Sequence, residues 1–347
     1  MNKYYIARNY RSKFDAAGKA KMDCETILEK NGWKNIGFKQ TWISNAILGT
    51  IISAVGITWA LIRLKRKSIL CLQYPLNKFY KYILWGAQLK KCRIVTIVHD
   101  VISLKGKFYY TEKEISILSK SECLILHNAS MRKWFEENNV DARIVELDIF
   151  DYLHTPTANI PKNPVDYNEF RVVFAGGMGG KKSFIYELDS LERGNYKFDL
   201  YGVNFKKENI KDPNDTILDY KGFFPSNEVI DHIDGDFGLV WYGDALDSCD
   251  GMTGQYLKYN NPHKVSLYIQ CEMPIIIWDK AAMADFVVEN AIGIKVNSMY
   301  EIKTKLADVS KEEFDRMKDN TIQIKERLSN GQYLNDAIEK ALLKLNH

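Results

Sequence analysis

Short apolar runs rich in β-branched residues alternate with helical stretches along this chain, and the alternation occurs twice. The runs are KYYIA, SILCLQY, RIVTIVHDV, ECLILHN and ARIVELD in the first half, and FRVVFAGG, YKFDLYGV, ILDYKGFF, DFGLVWYG, MPIIIWD and AIGIKVN in the second. Such alternation is typical of βαβ units around a parallel sheet. The sequence therefore predicts an α/β protein with two Rossmann-like domains, an interdomain cleft and C-terminal helices.

The domain boundary is predicted in the segment DYLHTPTANIPKNPVDYNEF, which holds three of the eight prolines. We expect an N-terminal Rossmann-like domain over residues 1–160, a C-terminal Rossmann-like domain over 168–320 and a C-terminal helix over 321–347. A length of 347 residues is sufficient for two such domains. Because ligands of open parallel sheets bind at the carboxyl ends of the strands, we expect the functional residues there.

The composition indicates a globular protein. It is 46% hydrophobic and 27% charged, with only 8 prolines, and this excludes disordered and collagen-like chains. The six cysteines form no CxxC pair, and the first twenty residues lack the continuous apolar core of a secretory signal. We therefore expect reduced thiols in a cytoplasmic protein. The histidines show no metal-ligand spacing, so no metal site is predicted.

The two halves of the chain carry opposite charge. Residues 1–165 contain 26 Lys and Arg against 14 Asp and Glu, a net charge of +12, and residues 166–347 contain 22 against 30, a net charge of −8. This asymmetry predicts an anionic partner for the first half, either nucleic acid or a phospholipid surface. No nucleic-acid-reading motif is present, so a role in binding nucleic acid is disfavoured.

Residues 41–67 favour the phospholipid surface. Positions 41–62 carry no charge and are followed directly by a cluster of four basic residues at 63–67. The uncharged run is long enough to span a bilayer, but six of its residues are Ser, Thr or Asn, and predicted strands of one sheet flank it. We favour a helix or helix pair lying peripherally on the inner face of the cell membrane through residues 41–67. A plain buried helix is the alternative.

The glycine cluster FAGGMGGKKS follows a predicted strand and precedes a helix. Its spacing fits neither a Walker A loop nor the GxGxxG fingerprint. Gly176 and Gly177 would let the backbone approach a ligand, and Lys181 or Lys182 would contact a phosphate or a sugar. A flexible turn is the alternative.

The segment YNNPHKVSLYIQC contains the most specific signal. An Asn-Asn-Pro opening leads into a helix that carries Lys264 and Ser266 near its amino end. The amino end of a helix has free N–H groups and a partial positive charge, and Lys264 adds a full charge. These groups predict a diphosphate site. An ordinary helix with a chance lysine is the alternative.

Two further sets of residues are predicted at carboxyl strand ends of the first half. His99 and Asp100 follow the run VTIV, and either could act as a general base for a hydroxyl nucleophile. Their alternative role is that Asp100 caps the following turn. Gly18 and Lys19, in an N-terminal loop after the first strand, would face the same cleft.

The acidic residues of the second half divide by position. Asp234 and Asp236 resemble the DxD that holds a divalent metal in some sugar transferases, but they precede a strand and so lie at the wrong edge of the sheet. Asp244 follows that strand, and its carboxylate could accept hydrogen bonds from sugar hydroxyls. A solvated loop is the alternative.

These motifs, together with YGVNF, KGFFPSNEV and YLKYNNPHKVSLYIQCEMPII, resemble the GT-B glycosyltransferases. The resemblance is greatest to the bacterial β-1,6-galactofuranosyltransferases and the related glucosyltransferases of serine-rich adhesin glycosylation. It reaches the first half through FDAAGKAKMDCETIL, LQYP and IVHDVISL. It implies a donor site for a UDP-sugar that includes the residues Tyr201, Gly202, Gly222, Phe223, Tyr256, Asn260, Asn261, His263, Lys264 and Ser266.

The implied function is transfer of a hexose from a UDP-sugar to a glycan hydroxyl in cell-surface polysaccharide synthesis. Galactofuranose from UDP-galactofuranose is the first choice and glucose from UDP-glucose the second. The resemblance implies an inverting reaction without metal or cofactor, with Asp100 or His99 as the base. The acceptor would be linked to a polyprenyl diphosphate, and a homo-oligomer is compatible with the sequence. A nucleotide-sugar epimerase and a non-catalytic partner subunit of a glycosyltransferase are the alternatives.

Overall fold

The computed structural model describes residues 1–10, 16–76, 79–156, 160–179, 183–210, 212 and 214–346. It contains two six-stranded sheets whose paired strands are all parallel. The predicted α/β class with two Rossmann-like sheets is confirmed.

The elements are numbered in chain order. The strands are β1 (Lys3–Tyr5), β2 (Lys34–Asn35), β3 (Ile69–Tyr74), β4 (Arg93–Val98), β5 (Cys123–Leu126), β6 (Arg143–Glu146), β7 (Phe170–Ala175), β8 (Tyr196–Tyr201), β9 (Leu218–Gly222), β10 (Phe237–Val240), β11 (Ile275–Trp278) and β12 (Gly293–Val296). The helices are α1 (Ala16–Lys30), α2 (Ala46–Arg63), α3 (Tyr80–Leu89), α4 (Thr111–Leu118), α5 (Ala129–Glu137), α6 (Phe184–Glu187), α7 (Val229–His232), α8 (Gly251–Tyr256), α9 (His263–Gln270), α10 (Ala284–Glu289), α11 (Ile302–Ala307), α12 (Lys311–Ser329) and α13 (Gln332–Asn346).

The chain forms two compact units, each with one sheet. Unit 1 comprises Met1–Asp151 and Gly331–His347, and its sheet has the order β2-β1-β3-β4-β5-β6. Unit 2 comprises Tyr152–Asn330, and its sheet has the order β12-β11-β10-β7-β8-β9. The central strands β3, β5, β10 and β11 are buried along their whole length. Helices cover both faces of such sheets, which is why the strands read as continuous apolar runs.

The observed boundaries of the units differ from the expected ones, which were at residues 160–168 and at residue 320. Unit 2 begins at Tyr152, and α13 belongs to unit 1 rather than forming a separate C-terminal element. Leu334, Ile338 and Leu345 of α13 are buried, and the helix packs on β5, β6 and α1. At its amino end, the buried carboxylate of Asp151 accepts hydrogen bonds from the N–H groups of Tyr333 (3.2 Å) and Leu334 (2.7 Å).

Helix α2 corresponds to the uncharged run, and its connections exclude a membrane-spanning orientation in this fold. By length and apolar composition it could cross a bilayer, although part of its surface is buried. However, it connects β2 to β3, which both pair with β1 in one parallel sheet, so both ends of α2 are attached to the same sheet.

One face of α2 is buried and the other is exposed. The buried face carries Gly49, Gly56, Ile57, Ala60 and Leu61. The exposed face carries large apolar side chains that are 48% to 75% exposed: Ile47, Leu48, Ile51, Val55, Trp59 and Ile62. The alternative of a plain buried helix is therefore wrong for this protomer.

The attachment of α13 to unit 1 is testable through Asp151. Replacing Asp151 by Ala removes both side-chain acceptors from the first turn of α13. We expect the free energy of unfolding to fall by about 1–3 kcal/mol, because buried N–H groups lose their partners. Urea denaturation measures the loss, and hydrogen exchange of the α13 amides locates it. Lys340→Ala, on the exposed face of the same helix, is the matched control, and equal stability of the two variants would contradict the assignment.

Candidate functional site

Three glycines at the carboxyl edge of the unit 2 sheet bring neighbouring strand ends into close contact. Gly176, Gly202 and Gly222 follow or end β7, β8 and β9 and have φ angles of 151°, 145° and 102°. Gly176 N–H donates to Tyr201 O, and Gly202 N–H donates to Gly222 O, both at 2.8 Å. A Cβ atom on Gly202 would overlap the carbonyl group of Gly176. Only glycine fits this arrangement, and the three predicted glycines therefore lie together.

Among the described residues, the backbone at Gly177 is little crowded. A Cβ atom there would meet Val203 alone within that part of the chain, at 4.0 Å, so the described backbone leaves room for a ligand. The predicted phosphate contacts Lys181 and Lys182 lie outside the described residues.

The amino end of α9 lies beside this glycine turn. Nζ of Lys264 is 3.3 Å from the centroid of the Phe174 ring and 5.1 Å from that of Tyr242. Phe174 is the penultimate residue of β7, two positions before Gly176. Pro262 precedes α9 and has no side-chain acceptor that could cap the first turn. The ammonium group and the positive end of the helix dipole therefore act in one place, as an anion site requires.

The other predicted residues near α9 are mostly buried. His263 is partly exposed, and its ring stacks on Tyr152 at a centroid distance of 4.7 Å. Tyr256, Asn261 and Ser266 are buried. These three residues pack below the site, and their buried side chains have little surface for a ligand to contact.

Tyr201 and Phe223 differ in what they offer a nucleotide. The Tyr201 ring is buried, and its hydroxyl accepts a hydrogen bond from the N–H of Asp234 at 3.2 Å. The backbone carbonyl of Tyr201 accepts the hydrogen bond from Gly176 N–H, so Tyr201 contributes to this edge through its main chain. Phe223, directly after Gly222, is 57% exposed, and a flat base could stack on it.

Asp244 joins the loop after β10 to the start of α6. Its Oδ1 accepts hydrogen bonds from the N–H and the hydroxyl of Ser183, both at 3.0 Å. Asp250 in turn accepts from the N–H of Asp244 at 2.6 Å. Asp244 is exposed and lies at the predicted edge, so it retains surface for a sugar hydroxyl.

The DxD-like pair performs a structural role at the other edge. Oδ2 of Asp234 forms an ion pair with Nη1 of Arg171 at 2.6 Å, and Asp236 accepts a hydrogen bond from the Arg171 N–H at 2.7 Å. Arg171 lies near the amino end of β7. In the part of the chain that the structure describes, no group of three His, Cys, Asp or Glu residues is arranged to hold a metal ion.

Three buried polar atoms lie at the carboxyl edge of unit 2, and two of them, on Trp278 and Asp279, were not predicted from the sequence. Oδ1 of Asn260, Nε1 of Trp278 and Oδ1 of Asp279 have no hydrogen-bond partner among the described residues. A hydrogen bond from Ala282 N–H to Leu257 O (2.8 Å) joins the two segments that carry them. Buried polar atoms usually have a hydrogen-bond partner, which water, an ion or a ligand can supply. Asn260 was expected near the diphosphate, and Trp278 and Asp279 could have been found as the polar end of the strand run MPIIIWD.

In unit 1, the two base candidates have different surroundings. The His99 ring is buried, its Nε2 lies 2.7 Å from Oε1 of Gln73, and it stacks on Phe150 at 5.2 Å. The Asp100 side chain is 33% exposed and forms an ion pair with Lys105 at 2.6 Å. Asp100 therefore has the surface that a base for an external hydroxyl needs, whereas His99 is held in the core.

Gly18 and Lys19 lie within the first turns of α1 rather than in a loop, which corrects the expectation. Nζ of Lys19 forms hydrogen bonds of 2.5 and 2.6 Å with the Asp23 carboxylate one turn later. Gly18 packs against the Tyr10 ring, where a Cβ atom would come within 3.3 Å. Lys19 is thus committed to an i,i+4 ion pair.

Comparisons with known proteins agree with this architecture over nearly the whole chain. The family models described as Glucosyltransferase 3-like match residues 3–149 (N-terminal domain) and 172–341 (C-terminal domain). The β-1,6-galactofuranosyltransferase WbbI of Escherichia coli (strain K12) is 33% identical over 344 residues, which cover 98% of each chain.

Solved structures with the same fold are far more distant in sequence. Sucrose-phosphate synthase from Thermosynechococcus elongatus has a TM-score of 0.60 at 10% identity, covering 100% of this chain and 99% of that one. The apo form of the lipopolysaccharide outer core galactosyltransferase WaaB has a TM-score of 0.57 at 11% identity, covering 98% and 99%. At such identities the likeness concerns the fold alone, and it confirms the GT-B class.

Proposed function

Because this chain belongs to the glucosyltransferase 3-like family and is a glycosyltransferase, we propose that it transfers galactofuranose from UDP-galactofuranose to a glycan hydroxyl in cell-surface polysaccharide synthesis. The choice of sugar rests on the similarity to the galactofuranosyltransferase over almost the full length of both chains. Glucose from UDP-glucose is the second candidate, supported by the description of the family. Membership of a glycosyltransferase family disfavours the epimerase and the non-catalytic subunit.

The observation that carries the proposal is the position of Lys264 at the amino end of α9, beside the glycine turn after β7. A nucleoside diphosphate bound there would meet an ammonium group, helix amides and an open stretch of backbone at Gly177. Phe223 would stack on the uracil ring, and Asp244, Asn260 and Asp279 would accept hydrogen bonds from the sugar hydroxyls.

The reaction is a displacement at the anomeric carbon of the donor sugar. Asp100 removes the proton from the acceptor hydroxyl, the resulting oxygen attacks the anomeric carbon, and the bond to UDP breaks with its electron pair. We propose inversion at that carbon, because a single attack from the opposite face suffices. Lys264 and the α9 amides neutralise the charge that develops on UDP, which supports a metal-independent mechanism.

The exposed apolar face of α2 supports a peripheral location at the cytoplasmic membrane surface. Trp85 and Leu89 of α3, which packs against α2, add further exposed apolar surface. Basic residues border both helices, namely Arg63, Lys65, Arg66, Lys67, Lys81, Lys90 and Lys91. Apolar side chains bordered by cations complement the surface of an anionic bilayer, and the partner we propose for this face is therefore anionic phospholipid.

The donor assignment predicts a specific effect of Lys264→Gln. We expect UDP affinity and kcat/KM each to fall by about tenfold or more, since a charge-assisted contact to the diphosphate is lost. The assay is UDP release from UDP-galactofuranose, UDP-galactopyranose and UDP-glucose, with and without a glycoside acceptor. Lys305→Gln, an exposed lysine of the same unit, is the control. Release that is fastest with UDP-glucose would replace galactofuranose as the donor, and a Lys264→Gln enzyme with normal UDP affinity would contradict the diphosphate site.

The base assignment predicts that Asp100→Asn lowers kcat by about 10²- to 10⁴-fold and leaves UDP affinity unchanged. Asp141→Asn makes the same chemical change at an exposed position of unit 1 and should retain full activity. His99→Gln decides between the two candidates. A larger loss of kcat in His99→Gln than in Asp100→Asn would assign the base to His99.

The membrane assignment is tested with vesicles of phosphatidylglycerol and phosphatidylethanolamine. We expect wild-type protein to co-sediment with them and the double variant Ile51→Gln, Val55→Gln to bind at least about tenfold more weakly, because two exposed apolar side chains no longer enter the lipid. Leu343→Gln, at an exposed leucine of α13, is the control. A different outcome would be that wild-type protein does not bind the vesicles and that its mass in solution is larger than that of the double variant. This result would instead identify the face as an interface between copies of this chain.

A further inference from the structure

A cavity of about 510 Å³ lies in unit 1, between the chain after β1 and the inner side of α2. Arg8, Lys21 and Lys39 contribute positive charge to its lining, and Ile52, Ile57 and Leu76 contribute apolar surface. Its volume is in the range of small-molecule sites. The lining thus combines cations with an apolar wall, a pattern that none of the donor or base residues explains.

Backbone carbonyl groups position the guanidinium group of Arg8 in this cavity. Arg8 donates from Nη1 to Pro75 O (3.0 Å) and from Nη2 to Gln73 O, so backbone carbonyls position its guanidinium group. Glu25 attracts the Arg8 charge and accepts hydrogen bonds from the Arg8 backbone N–H (3.2 Å), Tyr10 (2.7 Å) and Gln40 (2.6 Å). Carbonyl groups orient an arginine without cancelling its charge, so the charge remains for a ligand.

The electrostatics of Lys21 indicate surplus positive charge in the cavity. Burial, together with repulsion from Arg8 and Lys105, lowers the pKa of Lys21 to about 8, although Asp100 opposes the shift. Burial also raises the pKa of Glu25 to about 7, which reduces its negative charge near neutral pH. An anion in the cavity would favour the charged form of Lys21.

The cavity is adjacent to two features with proposed roles. Asp100, the proposed base, lies within electrostatic range of Lys21. Helix α2 presents one side to the cavity and its opposite, exposed side to the proposed membrane surface. A ligand with an anionic head and an apolar chain would satisfy both walls, and a sugar attached to its head would be near Asp100.

We propose that this cavity binds the diphosphate group and the first isoprene units of a prenyl diphosphate that carries the acceptor glycan, with Arg8 and Lys21 as the phosphate ligands. The proposal rests on the proposed function, because it deepens the identity of the acceptor. It also implies that the accepting hydroxyl belongs to a sugar close to the diphosphate.

The test uses geranyl diphosphate as the probe, titrated calorimetrically into the full-length protein, with geraniol and inorganic pyrophosphate as the comparison ligands. We expect geranyl diphosphate to bind wild-type protein, and Lys21→Gln to weaken this binding by about tenfold, the effect of one charge-assisted hydrogen bond. Lys21→Arg should retain binding. Lys30→Gln, at the exposed end of the same helix, should match wild type. Ser53→Phe, which fills the cavity without changing its charge, should abolish binding.

Circular dichroism and urea denaturation are measured on every variant and report whether unit 1 is folded, since the proposed UDP site belongs to unit 2. Equal binding of geranyl diphosphate by Lys21→Gln and wild type would overturn the proposal, as would tight binding of geraniol. Pyrophosphate that binds as tightly as geranyl diphosphate would assign the cavity to a free anion instead of a lipid. Because this measurement needs no sugar transfer, its failure is distinct from a failure of the donor screen, which alone tests the proposed reaction.

Discussion

The close approach of backbone at the carboxyl edge of unit 2 is the constraint on which the proposed donor site depends. Gly176, Gly202 and Gly222 adopt φ angles that residues with side chains rarely adopt. The backbones of Gly176 and Gly202 are so close that a Cβ atom on Gly202 would overlap the Gly176 carbonyl group. Because the strand ends are drawn together, the turn after β7 is held beside Lys264, whose ammonium group lies on the Phe174 ring. The positive end of α9 therefore acts next to backbone that a diphosphate can reach.

The two units divide the proposed chemistry by charge. Unit 2 belongs to the acidic half of the chain and concentrates positive charge at one helix end, where a single diphosphate is expected to bind. Unit 1 belongs to the basic half, and its cations border a cavity and an exposed apolar helix. This division suits a reaction in which both substrates carry phosphate, since each unit can attract its own anion while the opposite net charges limit competition.

The fold was predictable because it depends on patterns that are local in sequence, whereas much of the site depends on burial. Each run that was predicted as a strand lies on one, and β2 was missed because Lys34 and Asn35 carry no apolar signal. The return of α13 to unit 1 was missed because it depends on Asp151, an ordinary acidic residue until its partners are known. Lys264 was found through its helix context. Asp279 and Lys21 were not, since only packing reveals an unpaired atom or a charged cavity wall.

The uncharged run that forms α2 is explained by the surroundings of both its faces. A helix that faces solvent on one side normally carries charge there, yet the outer side of α2 is apolar. Its polar residues do not contradict an apolar environment, because their hydroxyls bond to the helix itself: Thr50 to Ala46 O (2.7 Å) and Ser53 to Gly49 O (2.7 Å). In the proposed functions, lipid on the outer side and an isoprenoid chain on the inner side would both stabilise such a helix. The absence of charge over residues 46–62 of α2 is then what we expect of a helix that, as proposed, separates two apolar environments.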